Sequence, residues 1–217
     1  MKRFLLLSLV IILAASMILT GVSCGKTTSA DGTTQGQIPE GWNKYTGSTS
    51  ELYLPGNWKG GGKEEFDSLI ENIKQAGQTQ LASQLESVKS YLIFYAYDTE
   101  TADSAEGFTN FNIVSESAPS YSLDEYMDLS YKNAADAYKQ AGYEFSIIEQ
   151  KVISLGNNKE VGKTIVEQTI AGVKSRAAQY MIKHDSDFWI LTFSTEPAKF
   201  DQNIQTFDKI VGTFTIK

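Results

Sequence analysis

The sequence predicts an α+β fold, a single domain in which helices cover both faces of a mainly antiparallel sheet to make an α/β/α sandwich. Three segments carry this expectation. Tyr91 to Tyr97 reads YLIFYAY and is apolar on both of its alternating sides, as in a strand covered on two faces. From Tyr143 to Ser194, four strand-like runs are separated by Gly156-Asn157-Asn158, Ala171-Gly172 and Asp185-Ser186-Asp187, the punctuation of an antiparallel meander. Ser122 and Glu125 form an S-x-x-E capping box before Leu123, Met127, Tyr131, Ala134 and Tyr138, which recur at helical spacing.

The remaining elements follow in chain order. Glu51 to Trp58 alternates briefly and is punctuated by Pro55-Gly56, so a short strand ends there. Residues 64–75 and 79–90 read as helices, the second through Leu81, Leu85 and Val88. After an acidic loop over residues 98–107, Phe108 to Val114 reads as a strand. The capped helix runs to Gly142, a residue suited to a left-handed C-terminal stop. The meander consists of Tyr143 to Leu155, Glu160 to Ile170, Ser175 to His184 and Phe188 to Ser194. Pro197 opens a last helix whose apolar stripe is Phe200, Ile204 and Phe207, and Thr213 to Ile216 supplies a terminal strand.

At 217 residues, with 41% hydrophobic and 21% charged content, the chain is able to bury a full core. Its front end is a separate unit. Met1-Lys2-Arg3 precedes an uncharged apolar run from Phe4 to Val22, followed by Ser23 and the sole cysteine, Cys24. A basic start, an apolar stretch and small residues before a cut describe a secretory signal. The arrangement resembles a bacterial lipoprotein signal, although Gly21 stands where that family usually has leucine. The resemblance implies cleavage of residues 1–23 and attachment of lipid to Cys24. An uncleaved apolar anchor is the other reading of so long a run. Both place the body outside the cytoplasmic membrane. Residues 24–40 are polar and rich in Gly, Ser and Thr, so they form a tether with a coil span of roughly 20–25 Å. Residues 41–217 form the folded domain. One cysteine allows no internal disulfide, so the core alone must hold the fold.

The chain carries a net charge of −7, and loss of Lys2 and Arg3 makes the body more acidic still. With no compensating basic patch, nucleic acid is excluded as a partner.

Phe188 to Glu196 (FWILTFSTE) followed by Phe207 to Phe214 (FDKIVGTF) is similar to the closing strand, helix and strand of PsbP-like domains. Tyr53-Leu-Pro-Gly-Asn-Trp58 is similar to their opening strand and Pro-x-x-Trp turn. The resemblance spans Tyr45 to Lys217. It implies the same α/β/α sandwich and an extracytoplasmic accessory role. Family members of plants and cyanobacteria assist the oxygen-evolving side of photosystem II, and related bacterial lipoproteins mostly lack an assigned task.

Catalytic patterns are weak throughout. His184, the only histidine, lies beside Asp185 and Asp187, where local turn bonding accounts for the carboxylates and the second histidine or thiol of a zinc site is lacking. No G-x-S-x-G occurs, and the S-x-x-K string Ser23 to Lys26 straddles the expected cleavage. Gly56 to Lys63 (GNWKGGGK) departs from a phosphate loop at Asn57 and Glu64 and reads as a flexible loop. Asp98, Glu100, Asp103 and Glu106 offer hard oxygen ligands but lack the spacing of a calcium loop. Tyr131 and Tyr138 share the core stripe of the capped helix, leaving Tyr126 as the tyrosine expected to be an exposed contact.

These features predict a lipid-anchored envelope protein that binds rather than catalyses. It has no catalytic residue, metal site or cofactor, and its partners are the membrane and an unidentified envelope protein. A small-ligand or divalent-cation binding lipoprotein is the alternative.

Overall fold

The computed structural model describes residues 38–217, apart from 76–78, 102–108, 157 and 171–172. The signal segment, Cys24 and nearly all of the tether lie outside the described residues. Strands β1 (Trp42–Thr46) and β2 (Ser50–Pro55) form a hairpin and lead into β3 (Trp58–Gly61). Helices α1 (Lys63–Gln75) and α2 (Thr79–Val88) follow, then β4 (Leu92–Asp98) and β5 (Asn110–Ser117). Helix α3 (Leu123–Ala141) precedes the meander β6 (Glu144–Leu155), β7 (Asn158–Ile170), β8 (Val173–His184) and β9 (Asp187–Thr195). Helix α4 (Pro197–Thr213) and β10 (Thr215–Ile216) end the chain.

The large sheet has the order β3-β4-β5-β9-β8-β7-β6 with every pair antiparallel. A small sheet, β1-β2-β10, is also antiparallel. The α+β expectation is met, with helices on both faces of the large sheet. On one face, Phe200, Phe207, Ile210 and Val211 of α4 and Leu52 and Leu54 of β2 pack on Phe94, Phe111, Ile113, Leu191 and Phe193. On the other, Leu123, Met127 and Tyr131 of α3 pack on Val114, Val166, Ala177 and Ile190. Phe66 and Ile70 of α1 and Ala82 and Leu85 of α2 cover Tyr95 of β4 on that same side.

Local signals explain the helix boundaries. Ser122 Oγ accepts from the Glu125 amide at 3.3 Å while Glu125 accepts from the Ser122 amide at 2.8 Å, the reciprocal cap expected. Gly142 closes α3 at φ 74°, a left-handed angle that costs other residues about 1 kcal/mol or more. Polar residues tie α3 to the sheet. Tyr131 donates to Gln179 Oε1 at 2.7 Å, and Gln179 Nε2 donates to Thr192 at 3.1 Å. Tyr138 donates to Gln168, which in turn donates to Ser175.

Two elements differ from expectation. Strand β1 is largely polar and gains its conformation by pairing with β2. The glycine-rich stretch is not a loop, because Trp58 to Gly61 forms edge strand β3 and Lys63 starts α1. Glycine is needed at position 60, where an added Cβ would lie 2.4 Å from Ala96 Cβ and 2.2 Å from the Tyr95 carbonyl oxygen. Gly62 has open space around it. Gly60→Ala is therefore expected to cost about 1–3 kcal/mol by overpacking, and Gly62→Ala far less. Urea midpoints of the two variants, compared with the parent, measure the difference.

Candidate interaction surface

The residues singled out for chemistry are scattered. His184 closes β8 in an exposed turn, and its Nε2 is 3.7 Å from an Asp185 oxygen that faces solvent. Asp185 adopts φ 53°, and Asp187 pairs with His184 across the hairpin, so both aspartates serve the turn. Asp98 has its Oδ1 occupied by Asn57 Nδ2 at 2.8 Å and the Glu100 amide at 2.9 Å. Burial raises its carboxyl above the ordinary range. Asp103 and Glu106 lie outside the described residues. Among the described residues no three His, Cys, Asp or Glu side chains are grouped to hold a metal ion.

The most enclosed ionic contact is structural in character. Lys163 on β7 is 6% exposed, and its Nζ is 2.6 Å from Asp208 Oδ1 on α4. Tyr180 on β8 donates to the same oxygen at 2.8 Å and presents its ring to the ammonium, 5.3 Å from the centroid. Burial, reinforced by Asp208, pushes the Tyr180 phenol far above its ordinary value. A phenol so held remains a donor and supplies neither a base nor a nucleophile. The cluster pins α4 to the sheet.

Tyr126 corrects an expectation. It is 4% exposed, its ring stacks on Phe188 with centroids 3.9 Å apart, and its hydroxyl donates to Glu116 at 2.7 Å. The helix turns it inward onto the Phe188 ring, so the apolar stripe is wider than Leu123, Met127 and Tyr131 alone suggest. Tyr131 and Tyr138 are buried as expected.

A cluster of exposed aliphatic side chains lies instead on β6. This strand ends the meander and is therefore the edge of the large sheet, with no strand on its outer side among the described residues. Ile147, Ile148 and Val152 are 45%, 52% and 45% exposed. Ile147 and Val152 point to the α3 side. Ile147 pairs with Val166 of the α3 core, and Val152 pairs with Gly162, whose added Cβ would meet Met127 of α3. Between them Gln150 Nε2 donates to Asp128 on α3 at 2.8 Å. A bulge lies at Ile148, since Ile147 and Glu149 oppose the adjacent residues Val166 and Ile165. The meander pattern already implied an edge at one end, and the paired isoleucines there are its sequence signal.

Comparison with known proteins adds the fold. Cyanobacterial PsbP from Synechocystis sp. PCC 6803 superposes with a TM-score of 0.54, covering 86% of this chain and 98% of its own at 12% identity. The Ran-binding protein Mog1p of Saccharomyces cerevisiae gives 0.47 at 9% identity, covering 81% of this chain and 96% of its own. LpqN of Mycobacterium tuberculosis, described as involved in cell envelope biogenesis, gives 0.45 at 12% identity, covering 79% and 85%. No family model and no curated protein sequence matches the chain.

Glu116 provides a pH test of the contact that holds Tyr126. Partial burial raises its carboxyl, outweighing the Tyr126 hydrogen bond. A raised carboxyl binds its proton more tightly in the folded state, so stability rises as pH falls through the folded value. As pH falls from neutral to about 4.5, the ordinary carboxyl value, the parent is expected to gain stability relative to Glu116→Gln. Paired urea titrations at the two pH values read this difference. The mixed, mainly antiparallel architecture and its match to the cyanobacterial protein together give this chain a PsbP-like fold.

Proposed function

We propose that this chain is a non-catalytic protein-binding module of the bacterial cell envelope, secreted through residues 1–23 and anchored by lipid on Cys24. Residues 24–40 serve as the tether and residues 41–217 as the binding domain. The observation that carries the reading is the β6 edge, where exposed Ile147, Ile148 and Val152 lie on the side of the strand that no other strand covers among the described residues. An edge of this kind recognises protein by strand addition, with main-chain bonds giving affinity and side chains giving selectivity. The buried phenols and the Lys163–Asp208 pair agree with a structural use of the ionisable groups.

The test uses the full chain in cells. A photo-crosslinking residue in place of Val152 is expected to give discrete adducts, while the same residue at exposed Lys59 on the opposite edge is not. Equal, diffuse adducts from both positions would sink the reading. Cys24→Ser is expected to release the chain from the membrane fraction. Retention would instead support the uncleaved apolar anchor.

A second reading, small-ligand binding, draws on three buried polar atoms without a protein partner: Tyr95 Oη, Asn112 Oδ1 and Ser194 Oγ. Tyr95 pairs with Asn112, and Asn112 with Thr192, two residues from Ser194, so the three lie close on one sheet face. A ligand present at 100 times its dissociation constant stabilises the native state by about 2.7 kcal/mol. A panel of polar metabolites and divalent cations is expected to raise the melting temperature if this patch binds, with the shift lost in Asn112→Leu.

A further inference from the structure

Strand β6 has an internal symmetry about Gln150. From Ile148 to Val152 it reads Ile-Glu-Gln-Lys-Val. Reversed about Gln150, this segment is complementary to itself: Ile148 meets Val152, Glu149 meets Lys151, and Gln150 meets Gln150. A two-fold interface requires this property, because a residue i that faces j must also be faced by i from the other copy. A heterologous partner strand would place no such demand on the sequence. We propose that β6 pairs antiparallel with β6 of a second copy of this chain about a two-fold axis at Gln150, joining two large sheets edge to edge. The proposal rests on the reading of β6 as a docking strand and names its partner.

The structure suits this register. Ile148 itself is the bulged residue, and Glu149 to Val152 lie between this bulge and the second irregularity between Ile153 and Leu155, so the ladder over these four residues is regular. Their side chains alternate correctly. Gln150 and Val152 lie on the α3 side, while Glu149 pairs with Ile165, which packs in the α4-side core, and so lies on the other side. Pairing across the axis therefore sets the bulge residue Ile148 beside Val152 of the other copy, twice, with Ile147 flanking each pair. The exposed aliphatic residues of β6 would be covered together.

The charges point the same way. Lys151 is opposite Lys163 in the β6–β7 ladder, a like-charge pair that destabilises when both sit on one face. Asp208 satisfies Lys163, and Lys151 contacts Glu149 of its own strand at 2.7 Å, with both side chains more than 40% exposed. A second copy places another Glu149 beside each Lys151 and another Lys151 beside each Glu149, giving an alternating square of four charges. Lysine on an edge strand ordinarily repels strand addition. Here its complement stands two residues away, where only an antiparallel copy brings it into register.

The experiment uses the full chain in its cells. Gln150→Cys places two thiols opposite each other on the axis, with Cβ atoms about 4.5–5.5 Å apart, close to disulfide range. Mild oxidation is expected to give a disulfide-linked dimer on a non-reducing gel. Glu144→Cys, exposed on the same edge but about 20 Å from the axis along the strand, is expected to give none, as is the unsubstituted chain. Adding Glu149→Lys or Lys151→Glu to Gln150→Cys is expected to reduce the dimer about tenfold. Co-expressing the two double variants should restore it as a mixed dimer, since each then meets the opposite charge. Absence of the Gln150→Cys dimer, an equal dimer from Glu144→Cys, or no rescue on mixing would overturn self-pairing. If Val152 then cross-links a protein of different mass, the docking reading stands without self-association. If it cross-links nothing discrete, both fall.

Discussion

Strand β9 is buried along nearly its whole length on both faces, from Phe188 through Phe193. Its odd-numbered rings and aliphatic groups belong to the α4 side and its even-numbered ones mostly to the α3 side. A strand with this pattern is stable only if two separate layers cover it, and with no internal disulfide the covering layers must hold by packing. The α4 side supplies an aromatic column. Phe94 and Phe111 have ring centroids 5.9 Å apart, Phe111 and Phe193 stack at 4.3 Å, and Phe193 and Phe207 stack at 4.6 Å. Each fully buried ring contributes about 2–3 kcal/mol by area. The Lys163–Asp208–Tyr180 cluster adds direction to this apolar attraction by fixing where α4 sits along the sheet.

The opposite layer is more polar at its centre. Tyr131, Gln179 and Thr192 are linked by hydrogen bonds within the buried layer, as are Tyr138, Gln168 and Ser175. Such bonds specify which helix residue meets which strand residue, because a shifted helix would leave buried polar atoms without partners. Burial also pushes the phenols of Tyr95, Tyr126, Tyr131 and Tyr138 upward. The tyrosines along α3 are accordingly architectural, and the surface chemistry falls to other elements.

Much of this was legible in the sequence where the determinants are local. The S-x-x-E box at Ser122, the glycine after Ala141 and the short turns of the meander each act within a few residues, and the corresponding elements formed where expected. Strand β1 was not legible because Trp42–Thr46 has no apolar alternation and is set by its partner β2. Strand β3 was hidden because Gly60 and Gly61 read as loop residues, whereas Gly60 serves a close approach to β4 that is visible only in three dimensions. Tyr126 failed for a related reason: the width of the buried face of α3 depends on which sheet residues lie beneath it, here Phe188 under the Tyr126 ring, which helical periodicity does not encode. The partnerless polar atoms of Tyr95, Asn112 and Ser194 also needed the sheet register, since they come from three strands. The proposed lipid attachment at Cys24 rests on sequence alone.

The small sheet has a consequence for the order in which the chain folds. Its middle strand, β2, bonds to β1 nearby and to β10 at the far end of the domain, and the Tyr53 amide is held by Thr213 Oγ1 across 160 positions. Contacts of such separation are entropically late, because a long loop must close before they return any energy. The meander and its hairpins can assemble while Leu52 and Leu54 still lack the helix they cover. Completion of the aromatic face then waits for α4, and closure of the small sheet for β10. A chain threaded through a membrane from its front end would remain pliable on the far side until this last segment arrived.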